Sequence, residues 1–478
     1  MIPTLTDLLP LLPELVLLGM TCVILIAGLF LERRTSVVHY LAIFTLVLVA
    51  GITLLDFNIV GRTNALGGMF IRDGIADILK LFVYLSSAIV FVYARFYLKT
   101  HKLFVAEYYT LSLFAILGMC LLISGGNLLS IYLGLELLAL SSYALVALDR
   151  DSAVSGESAM KYFVLGALAS GLLLYGMSML YGITGSLDLH EISVRLASGD
   201  QPKVLMAFTV TFLVIGLAFK FGAVPFHMWV PDVYHGAPTA VTLFLSAAPK
   251  LAAVGMTFRL LGEGLEPLTR DWSQMLGFLA LMSLVVGNFA AIAQTNLKRM
   301  LAYSTISHVG FIFLGILSGS DDGMAAAMFY AITYTLMSTG AFGMIIALSN
   351  AGFECDRIED FRGLNKRNPW LAFMMLLIVG SLAGFPPLVG FFAKLYVLQA
   401  AVNAGWLWLA VIAVVMAVIG AYYYLRVIKA MYFDQPEHEH AIQAPIDVRV
   451  VLTANGLLQL VLTFFVGSLT ALCVAAWQ

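Results

Sequence analysis

Five lysines lie within long apolar stretches of the sequence, and one glutamate lies at the middle of another such stretch. They are Lys80, Lys161, Lys220, Lys250, Lys394 and Glu136. A lysine at the centre of a bilayer costs on the order of 2.5–3.5 kcal/mol even on the mildest insertion scale. Such side chains are expected to face a polar interior, where an amine and a carboxylate that approach and separate can exchange a proton. The pattern indicates proton-transfer chemistry inside a membrane.

Helix-breaking residues stand beside two of these lysines. Lys220 is followed by Gly222, Pro225 and Pro231. Lys394 is preceded by Gly384, Pro386, Pro387 and Gly390. Proline removes a backbone donor, and breaks at membrane depth are tolerated only where they are buried or line a hydrated cavity. Lys250 lies twelve residues into an otherwise apolar helix, too deep to reach an interface easily. For Lys220 and Lys394 the alternative is a side chain that extends to the membrane surface.

Three further residues are weaker candidates. His308, in STISHVGF, is either a hydrogen-bonded core histidine or, with three hydroxyl residues beside it, part of a proton relay. His227 is expected near one mouth of the first helix break. Lys161 lies only one turn inside its helix, where extension to the surface explains it equally well.

Several other polar groups have simpler explanations. Lys80 is expected to pair with Asp77 at the i, i+3 spacing. The tyrosine run 422–424 is expected to pack between helices or to join an interfacial belt. His438 and His440 have the composition of a metal site, but two histidines in a polar loop are usually solvated.

The composition indicates what kind of secondary structure must position these residues. Of 478 residues, 61% are hydrophobic and 11% are charged, whereas a soluble domain carries roughly a quarter charged residues. The hydrophobic share is about 292 residues, and fourteen helices that cross a bilayer need about 280. A soluble enzyme, a disordered protein and a nucleic-acid binder are therefore excluded. The sequence predicts an all-α polytopic membrane protein.

The apolar stretches predict about fourteen transmembrane helices, joined by loops too short for a separate soluble domain. The expected bounds are 13–31, 37–56, 75–97, 106–124, 127–148, 157–182, 203–236, 239–262, 272–293, 298–318, 323–349, 369–402, 406–433 and 448–476. Several exceed the minimum length, which allows tilt or a break. The seventh and the twelfth contain the glycine and proline residues described above.

The two broken helices are five apart in the order, which predicts two five-helix repeats. An odd number of helices inverts the second repeat relative to the first, as in inverted-repeat transporters. The expected organisation is an N-terminal three-helix segment (1–105), a first repeat (106–262), an inverted second repeat (271–433) and a C-terminal helix (448–478). Each repeat then has a broken fourth helix with a lysine. Its second helix carries a titratable group, Glu136 or His308.

Basic residues divide unevenly between the two sets of loops. Loops after odd-numbered helices hold fifteen Lys and Arg residues, and the other loops hold six. By the positive-inside rule the first set faces the cytoplasm. Both termini are therefore expected on the opposite, outer side of the membrane.

Cofactor motifs are not found in the sequence. The four cysteines (Cys22, Cys120, Cys355 and Cys473) are too scattered for a zinc site or an iron–sulfur cluster. No GxGxxG or phosphate-binding loop is present. We expect no metal, nucleotide or other cofactor on this chain.

These residues allow a specific hypothesis for proton movement. When Glu136 lies close to Lys220, the ammonium form is favoured and the proton is held. When the pair opens, Lys220 becomes a donor toward Lys250 and then Lys394. Because one pKa unit corresponds to about 1.4 kcal/mol, small motions of the carboxylate are sufficient.

Two sequence strings resemble a known family. FKFGAVPFHMWVPDVYHGAPT (219–239) and NLKRMLAYSTISHVGF (296–311) resemble the antiporter-like membrane subunits of respiratory complex I, the proton-pumping NADH:quinone oxidoreductase. The resemblance extends over essentially the whole chain. VYHGAP in place of AHxxAP, and a lysine rather than a glutamate at 394, distinguish the chain from subunit M. A long lateral helix like that of subunit L is not found after the fourteenth helix.

The resemblance implies roles for individual residues. The family's ion pair falls on Glu136 and Lys220, its central lysine on Lys250, and its terminal site on Lys394. Lys161 and His308 match polar positions of the family's central hydrated axis.

The resemblance also implies a translocase subunit that carries out no redox chemistry itself. NADH, FMN, iron–sulfur clusters and quinone are expected on partner subunits, with redox energy arriving through coupling along the membrane arm. The expected partners are the neighbouring antiporter-like subunit M, the small subunits K and J, the lateral helix of subunit L, and the lipid bilayer, with no nucleic acid.

Three alternatives remain open from the sequence. The same fold resembles subunits of multi-subunit cation/proton antiporters and membrane-bound hydrogenases. A stand-alone solute transporter, with lysines that bind an anionic substrate, would be active without partners. A structural spacer of the membrane arm would keep pumping after Glu136, Lys220 and Lys250 were neutralised.

Overall fold

Long apolar helices make up most of the computed structural model, which describes residues 8–30, 35–199, 201–436 and 444–477. Thirteen helices in these ranges are long and apolar enough to cross a membrane. They correspond to thirteen of the fourteen predicted spans. The predicted twelfth span consists instead of two shorter apolar helices, Pro369–Ala383 and Val389–Asn403. The prediction of an all-helical polytopic membrane protein is confirmed.

The helices run in chain order with short connections. They are α1 (Leu12–Phe30), α2 (Thr35–Leu55), α3 (Gly74–Thr100), α4 (Ala106–Ile123), α5 (Leu128–Val146), α6 (Ala153–Thr184), α7 (Leu189–Ala197), α8 (Lys203–Phe221), α9 (Trp229–Gly236), α10 (Thr239–Ser246), α11 (Ala248–Thr257), α12 (Thr269–Ile292), α13 (Leu297–Ile316), α14 (Asp321–Leu348), α15 (Leu364–Arg367), α16 (Pro369–Ala383), α17 (Val389–Asn403), α18 (Leu407–Tyr432), α19 (Ile446–Phe464) and α20 (Val466–Ala475). A π-helical segment, Phe258–Gly264, continues α11. A small antiparallel hairpin of β1 (Thr63–Ala65) and β2 (Phe70–Arg72) precedes α3.

Polar side chains fix where many of these helices begin. A side-chain oxygen accepts a hydrogen bond from a first-turn N–H at the starts of α3, α5, α6, α7, α13, α14 and α16. The capping residues are Asp73, Asn127, Ser152, Asp188, Asn296, Ser320 and Asn368. Such caps satisfy N–H groups that have no partner within the helix. They thereby fix the residue at which each of these helices begins.

Burial separates an inner helix from an outer ring. In α14, every residue from Gly323 to Leu348 is buried. Large apolar side chains on α1, α2 and α18 are exposed, among them Phe30 (82%), Val47 (61%) and Val418 (70%). Exposed apolar surface on this scale indicates contact with lipid.

Two helix pairs approach each other through glycines at matching positions. A Cβ added at Gly118 of α4 would lie 2.6 Å from the backbone nitrogen of Leu138 on α5. A Cβ added at Gly287 of α12 would lie 2.7 Å from the backbone nitrogen of Ser307 on α13. In each pair the contact lies 20 residues after the glycine, so two close helix pairs are built in the same way.

Three basic residues that the sequence assigned to loops are buried. Arg72, Arg259 and Lys298 are 6%, 0% and 2% exposed. Each has a carboxylate partner, Asp77, Asp73 and Glu354 respectively. Hydropathy placed them at helix ends, where loops begin, but could not show that neighbouring helices cover these ends.

The metal-like pair His438 and His440 lies outside the described residues.

Candidate functional site

The first helix break brings a lysine to an open helix end. α8 ends at Phe221, and Gly222 follows with φ +73°, a left-handed conformation that favours glycine. The chain becomes helical again at Trp229. The Nζ of Lys250, in the first turn of α11, donates a 2.6 Å hydrogen bond to the carbonyl of Phe221. The final carbonyls of a helix carry partial negative charge, so this position favours an ammonium group.

Lys220 and Lys250 share one cavity. The cavity has a volume of about 30 Å³ and is also lined by Ser142, Tyr162 and Trp229. That space is enough for one or two water molecules. The indole nitrogen of Trp229 donates to the carbonyl of Phe219 at 3.0 Å, which fixes this wall of the cavity. The two amines therefore line one small, mostly apolar cavity, in which the hydroxyls of Ser142 and Tyr162 are further polar partners for a bridging water.

Glu136 lies at the middle of α5, next to this region. It accepts a hydrogen bond from the hydroxyl of Ser170 on α6. Within the described residues Glu136 forms no salt bridge with Lys220, although the two are close enough for their charges to interact. The structure thus shows the carboxylate and the amine apart.

The second helix break has the same arrangement. α16 ends at Ala383, followed by Gly384 with φ +86°. The Nζ of Lys394, on α17, donates to the carbonyls of Leu382 and Ala383 at 3.1 and 2.8 Å. It also lies 5.2 Å from the ring centre of Phe311. Lys250 and Lys394 each bind the terminal carbonyls of a helix that stops inside the fold.

His308 on α13 lies in a hydroxyl network near Lys394. Its Nδ1 is 2.7 Å from the hydroxyl of Tyr330, and its Nε2 is 3.1 Å from the hydroxyl of Tyr424. Tyr424 also hydrogen-bonds Ser304. Both ring nitrogens are thus connected to groups that can donate or accept a proton.

The partners of His308 differ from those expected. Tyr424, in the tyrosine run 422–424, packs between helices as predicted and is 1% exposed, whereas Tyr422 is 58% exposed. The contact of the Tyr424 hydroxyl with His308 was not predicted. Tyr330 and Tyr424 were missed as site residues. Three consecutive helical residues face different directions, so a run of tyrosines alone does not show which one is buried.

Further hydroxyl groups lie on the helices between the two breaks. Thr305, one turn before His308, is 2.7 Å from the hydroxyl of Tyr334 on α14. The next residue of α14, Thr335, contacts the carbonyl of Ala247 at 3.5 Å. Ala247 immediately precedes the helix of Lys250. Hydroxyl groups of α14 are thus bonded to α13 on one side and to the residue before α11 on the other.

Lys161 and His227 lie apart from these groups. Lys161 is exposed and pairs with Glu157 and Asp232, both at 2.9 Å. Asp232 also accepts from Arg299 at 3.0 Å, which links α6, α9 and α13. His227 lies in the segment between α8 and α9, and its Nδ1 is buried without a hydrogen-bond partner among the described residues.

Sequence analysis did not predict the ion pairs that lie at the helix ends. Lys298 contacts Glu354 at 3.3 Å, and Glu354 also accepts from Thr239 and Tyr97. Burial alone would raise the pKa of Glu354, but the Lys298 ammonium and its hydrogen bonds hold this pKa below its usual value. Lys80 pairs with Glu14 at 2.5 Å, so Asp77 is not its salt-bridge partner as expected. These partners are distant in the sequence, and no local spacing reveals them.

No group of three or more His, Cys, Asp and Glu residues is arranged to hold a metal ion within the described ranges. The four cysteines are free thiols. The chemistry available at the site is therefore that of amines, carboxylates, one imidazole and hydroxyls, all of which hold or pass protons.

Comparison with known proteins agrees with this chemistry. A family model described as NADH:quinone oxidoreductase/Mrp antiporter, TM, matches residues 125–420. The NADH-quinone oxidoreductase subunit N of Thioalkalivibrio sulfidiphilus is 55% identical over 472 residues, which cover 98% of each chain.

Solved structures show the same fold. A chain in respiratory complex I from Thermus thermophilus superposes with a TM-score of 0.82 at 32% identity, over 96% of this chain and 98% of that one. A chain of the Mrp complex from Dietzia sp. has a TM-score of 0.86 at 21% identity, over 99% of this chain and 97% of that one, and this likeness concerns the fold alone. The chain thus belongs to the NADH:quinone oxidoreductase/Mrp antiporter transmembrane family, among relatives named NADH-quinone oxidoreductase subunit N.

Proposed function

We propose that this chain is the proton-translocating subunit N in the membrane arm of a bacterial NADH:quinone oxidoreductase. The relatives named subunit N match nearly its full length, and buried amines, a carboxylate and an imidazole lie along its interior. NADH oxidation and quinone reduction take place on other subunits, which also hold the cofactors. This chain moves protons with energy that reaches it through the membrane arm.

One observation carries the proposal. Lys250 and Lys394 each donate to the open carbonyl end of a broken helix, α8 and α16 respectively. An amine at such a carbonyl end has a strong hydrogen-bond acceptor when protonated. Movement of the helix end by a fraction of an ångström changes that interaction, and thus the affinity of the lysine for its proton. Two breaks give two such sites.

In the first half of the route the proton passes from Lys220 to Lys250. Glu136 holds the proton on Lys220 when the two groups approach each other, and it binds Ser170 when they are apart. Once separated, Lys220 donates through water in the shared cavity to Lys250. We assign His227 and Lys161 to the periphery of this half, where Lys161 is held by Glu157 and Asp232.

In the second half the proton passes from Lys250 toward Lys394. Thr335 of α14 bonds the carbonyl before α11, and the neighbouring Tyr334 bonds Thr305, one turn before His308. Water completes the steps between these groups. The imidazole accepts a proton at one nitrogen and releases one at the other. His308 is close enough for its charge to interact with that of Lys394, which is the terminal site.

The two halves are proposed to be inverted repeats, 106–262 and 271–433, after an N-terminal segment, 1–105, and before a final helix, 448–478. The support is the matching construction of the α4–α5 and α12–α13 pairs, with the same glycine spacing. The asparagine caps of α5 and α13, Asn127 and Asn296, each form a bridge to a later segment. An inverted repeat gives the two helix breaks opposite orientations, and thus access from opposite sides.

The partners and orientation are also part of the proposal. We expect contacts with the antiporter-like subunit M, with subunits K and J, and with the lateral helix of subunit L. The excess of basic residues in one set of loops supports a bacterial inner membrane location with both termini on the periplasmic side.

The experiment uses the complete enzyme in proteoliposomes, with a tag on this chain. NADH:quinone reductase activity is expected to co-purify with the tag. Lys220→Met and Lys394→Met are expected to slow proton transfer along this route at least about 100-fold, because a positioned transfer group is removed. Protons moved per NADH then fall. Lys366→Met is the control, since Lys366 binds Gln435 on the surface.

Two results contradict the proposal. Unchanged pumping per NADH in both buried-lysine variants would show that these residues are structural only. A chain that purifies without NADH:quinone reductase activity, with other antiporter-like proteins, would point to a cation/proton antiporter or a membrane-bound hydrogenase.

A further inference from the structure

A second buried lysine–carboxylate pair lies outside the two proposed repeats. Lys80 on α3 and Glu14 on α1 are 2.5 Å apart between Nζ and Oε1, and their side chains are 2% and 4% exposed. Moving such charges out of water costs several kcal/mol per ion, even when they are paired. The route from Glu136 to Lys394 does not use this pair, so its presence inside the membrane needs a separate explanation.

The carboxylate of Glu14 has unused hydrogen-bonding capacity. Neither oxygen has a hydrogen bond of normal geometry within the described residues, although both atoms are shielded from solvent. A carboxylate has about four acceptor sites, and buried polar atoms are nearly always satisfied by protein or water. On its other side, the Lys80 ammonium lies 4.7 Å from the ring centre of Phe70. Glu14 is therefore open to a water molecule or a proton.

Charged side chains connect this pair to the surface. The side chain of Asp56 is 80% exposed and pairs with Arg72 at 2.7 Å. Arg72 contacts Asp77 at 3.1 Å, and the side chains of these two residues are only 7% and 3% exposed. Asp77 lies one turn before Lys80 on α3, and their charges interact. Alternating charges thus lead inward from the exposed carboxylate.

Polar groups continue on the inner side of the pair. Tyr84, one turn after Lys80, has its hydroxyl 3.3 Å from the thiol of Cys120 on α4. The charge of Glu14 reaches both groups. By contrast, the carboxylate of the neighbouring Asp73 already has its hydrogen-bond partners. Arg259 donates to it at 2.7 and 2.8 Å, and Asp73 also caps α3.

We propose that Glu14 and Lys80 form a further proton-exchange site, reached from the surface through Asp56 and Asp77. The proton moves from the Lys80 ammonium to the Glu14 carboxylate, which leaves a neutral amine and a carboxylic acid. The acid then releases this proton to water at its open side, and a proton from surface water passes by way of Asp77 to the amine and restores the ammonium, so that one proton leaves for each one that enters. Arg72 keeps its own proton and holds the two aspartates in line. The site rests on the proposed function, since it presupposes that the chain moves protons.

The test replaces the pair with apolar side chains of similar size in the complete enzyme. A structural ion pair can often be exchanged for well-packed apolar residues at little cost. A structural role therefore predicts that Glu14→Leu/Lys80→Met keeps normal pumping. The exchange site predicts preserved NADH:quinone reductase activity with fewer protons moved per NADH, because transfer at the lost site slows at least about 100-fold.

Further variants in the same assay make the result decisive. Asp77→Asn keeps the Glu14–Lys80 pair but interrupts the path by which protons reach it. This variant is also expected to lower the number of protons moved per NADH. If the double variant fails to assemble, Asp77→Asn decides, and a normal ratio in it overturns the site. Arg62→Gln is the control, since Arg62 is 47% exposed in its ion pair with Glu263.

Lys220→Met separates this proposal from the one above. If Lys220→Met lowers the number of protons moved per NADH while the Glu14/Lys80 and Asp77 variants keep that number normal, only the exchange site is overturned. If none of these variants lowers the ratio, the proposed route and the exchange site fall together.

Discussion

At the scale of single residues, an amine, a carboxylate or an imidazole is useful for proton transfer only if its neighbours can change its affinity for the proton. Lys250 and Lys394 have carbonyls as neighbours rather than carboxylates. A carbonyl stabilises the ammonium less than a full negative charge does. Such a lysine can release its proton, whereas an ammonium locked to a buried carboxylate holds it firmly.

The hydroxyl of Tyr424 provides a test at this scale. Tyr424→Phe removes the partner of the His308 Nε2, and should slow relay through the imidazole at least about 100-fold if the hydroxyl carries the proton. Proton uptake per NADH in proteoliposomes measures the effect. Tyr422→Phe is the matched control, because that side chain is 58% exposed on the same helix. Equal ratios in the two variants would remove Tyr424 from the route.

At the scale of elements, the breaks in the helices are as important as the lysines. A continuous α8 or α16 would bond its own carbonyls along the helix, and would leave none for Lys250 or Lys394. Glycine at the end of each helix allows the left-handed turn that stops it. The proline-rich segments that follow keep the helix from continuing.

Gly384 and Gly405 form a matched pair for testing the second break. Both have φ +86°, so alanine at either position costs about 1–2 kcal/mol of backbone strain. At Gly384 the new Cβ would also lie 3.0 Å from the Cδ and 3.2 Å from the Nζ of Lys394, whereas nothing lies within 4 Å at Gly405. Gly384→Ala should therefore lower protons moved per NADH. Gly405→Ala should lower thermal stability only, and similar pumping in both would contradict a role for the break.

At the scale of the whole molecule, buried charges hold the ends of distant helices together. Glu354, in the loop after α14, accepts hydrogen bonds from Tyr97 on α3, Thr239 on α10 and Lys298 on α13. Lys298 also donates to the carbonyl of Ala237 at 3.2 Å. One carboxylate thus connects the N-terminal segment to both proposed repeats.

The acid sensitivity of the fold should reflect this carboxylate. The pKa of Glu354 is lowered in the folded chain, so its contribution is complete above its unfolded pKa of about 4.3 and is lost as the pH falls further. Glu354→Gln should cost about 1.5–3 kcal/mol at pH 7 and much less in acid. The thermal unfolding midpoint, measured at pH 7 and well below pH 4 for both proteins, checks this. An equal deficit at both pH values would contradict it.

The sequence predicted this architecture well where the signal is local. Apolar stretches located thirteen spans that the structure also contains, since bilayer thickness sets their length. Lys220 and Lys394 stood out because glycine and proline lie beside them. The pairing of Glu14 with Lys80, and of Arg259 with Asp73, could not be predicted, because each joins elements far apart in the chain. Tyr424 was missed as a site residue because rotation about the helix axis decides which of three adjacent tyrosines faces His308.

The complete burial of α14 has a consequence for how the chain is made. Its neighbours include α3, α10 and α13, which are synthesised earlier, and α16, α17, α19 and α20, which emerge later. Until those later helices arrive, the side of α14 that will face them, which includes Phe329 beside Tyr396 of α17 and Gly340 beside Asn455 of α19, must rest against lipid or the insertion machinery. With a mean hydropathy of 1.6, α14 is apolar enough to stay inserted in the lipid during that time. A nascent chain that stops before Pro369 should therefore leave this side of an inner helix uncovered, a mark by which membrane proteases can recognise unfinished copies.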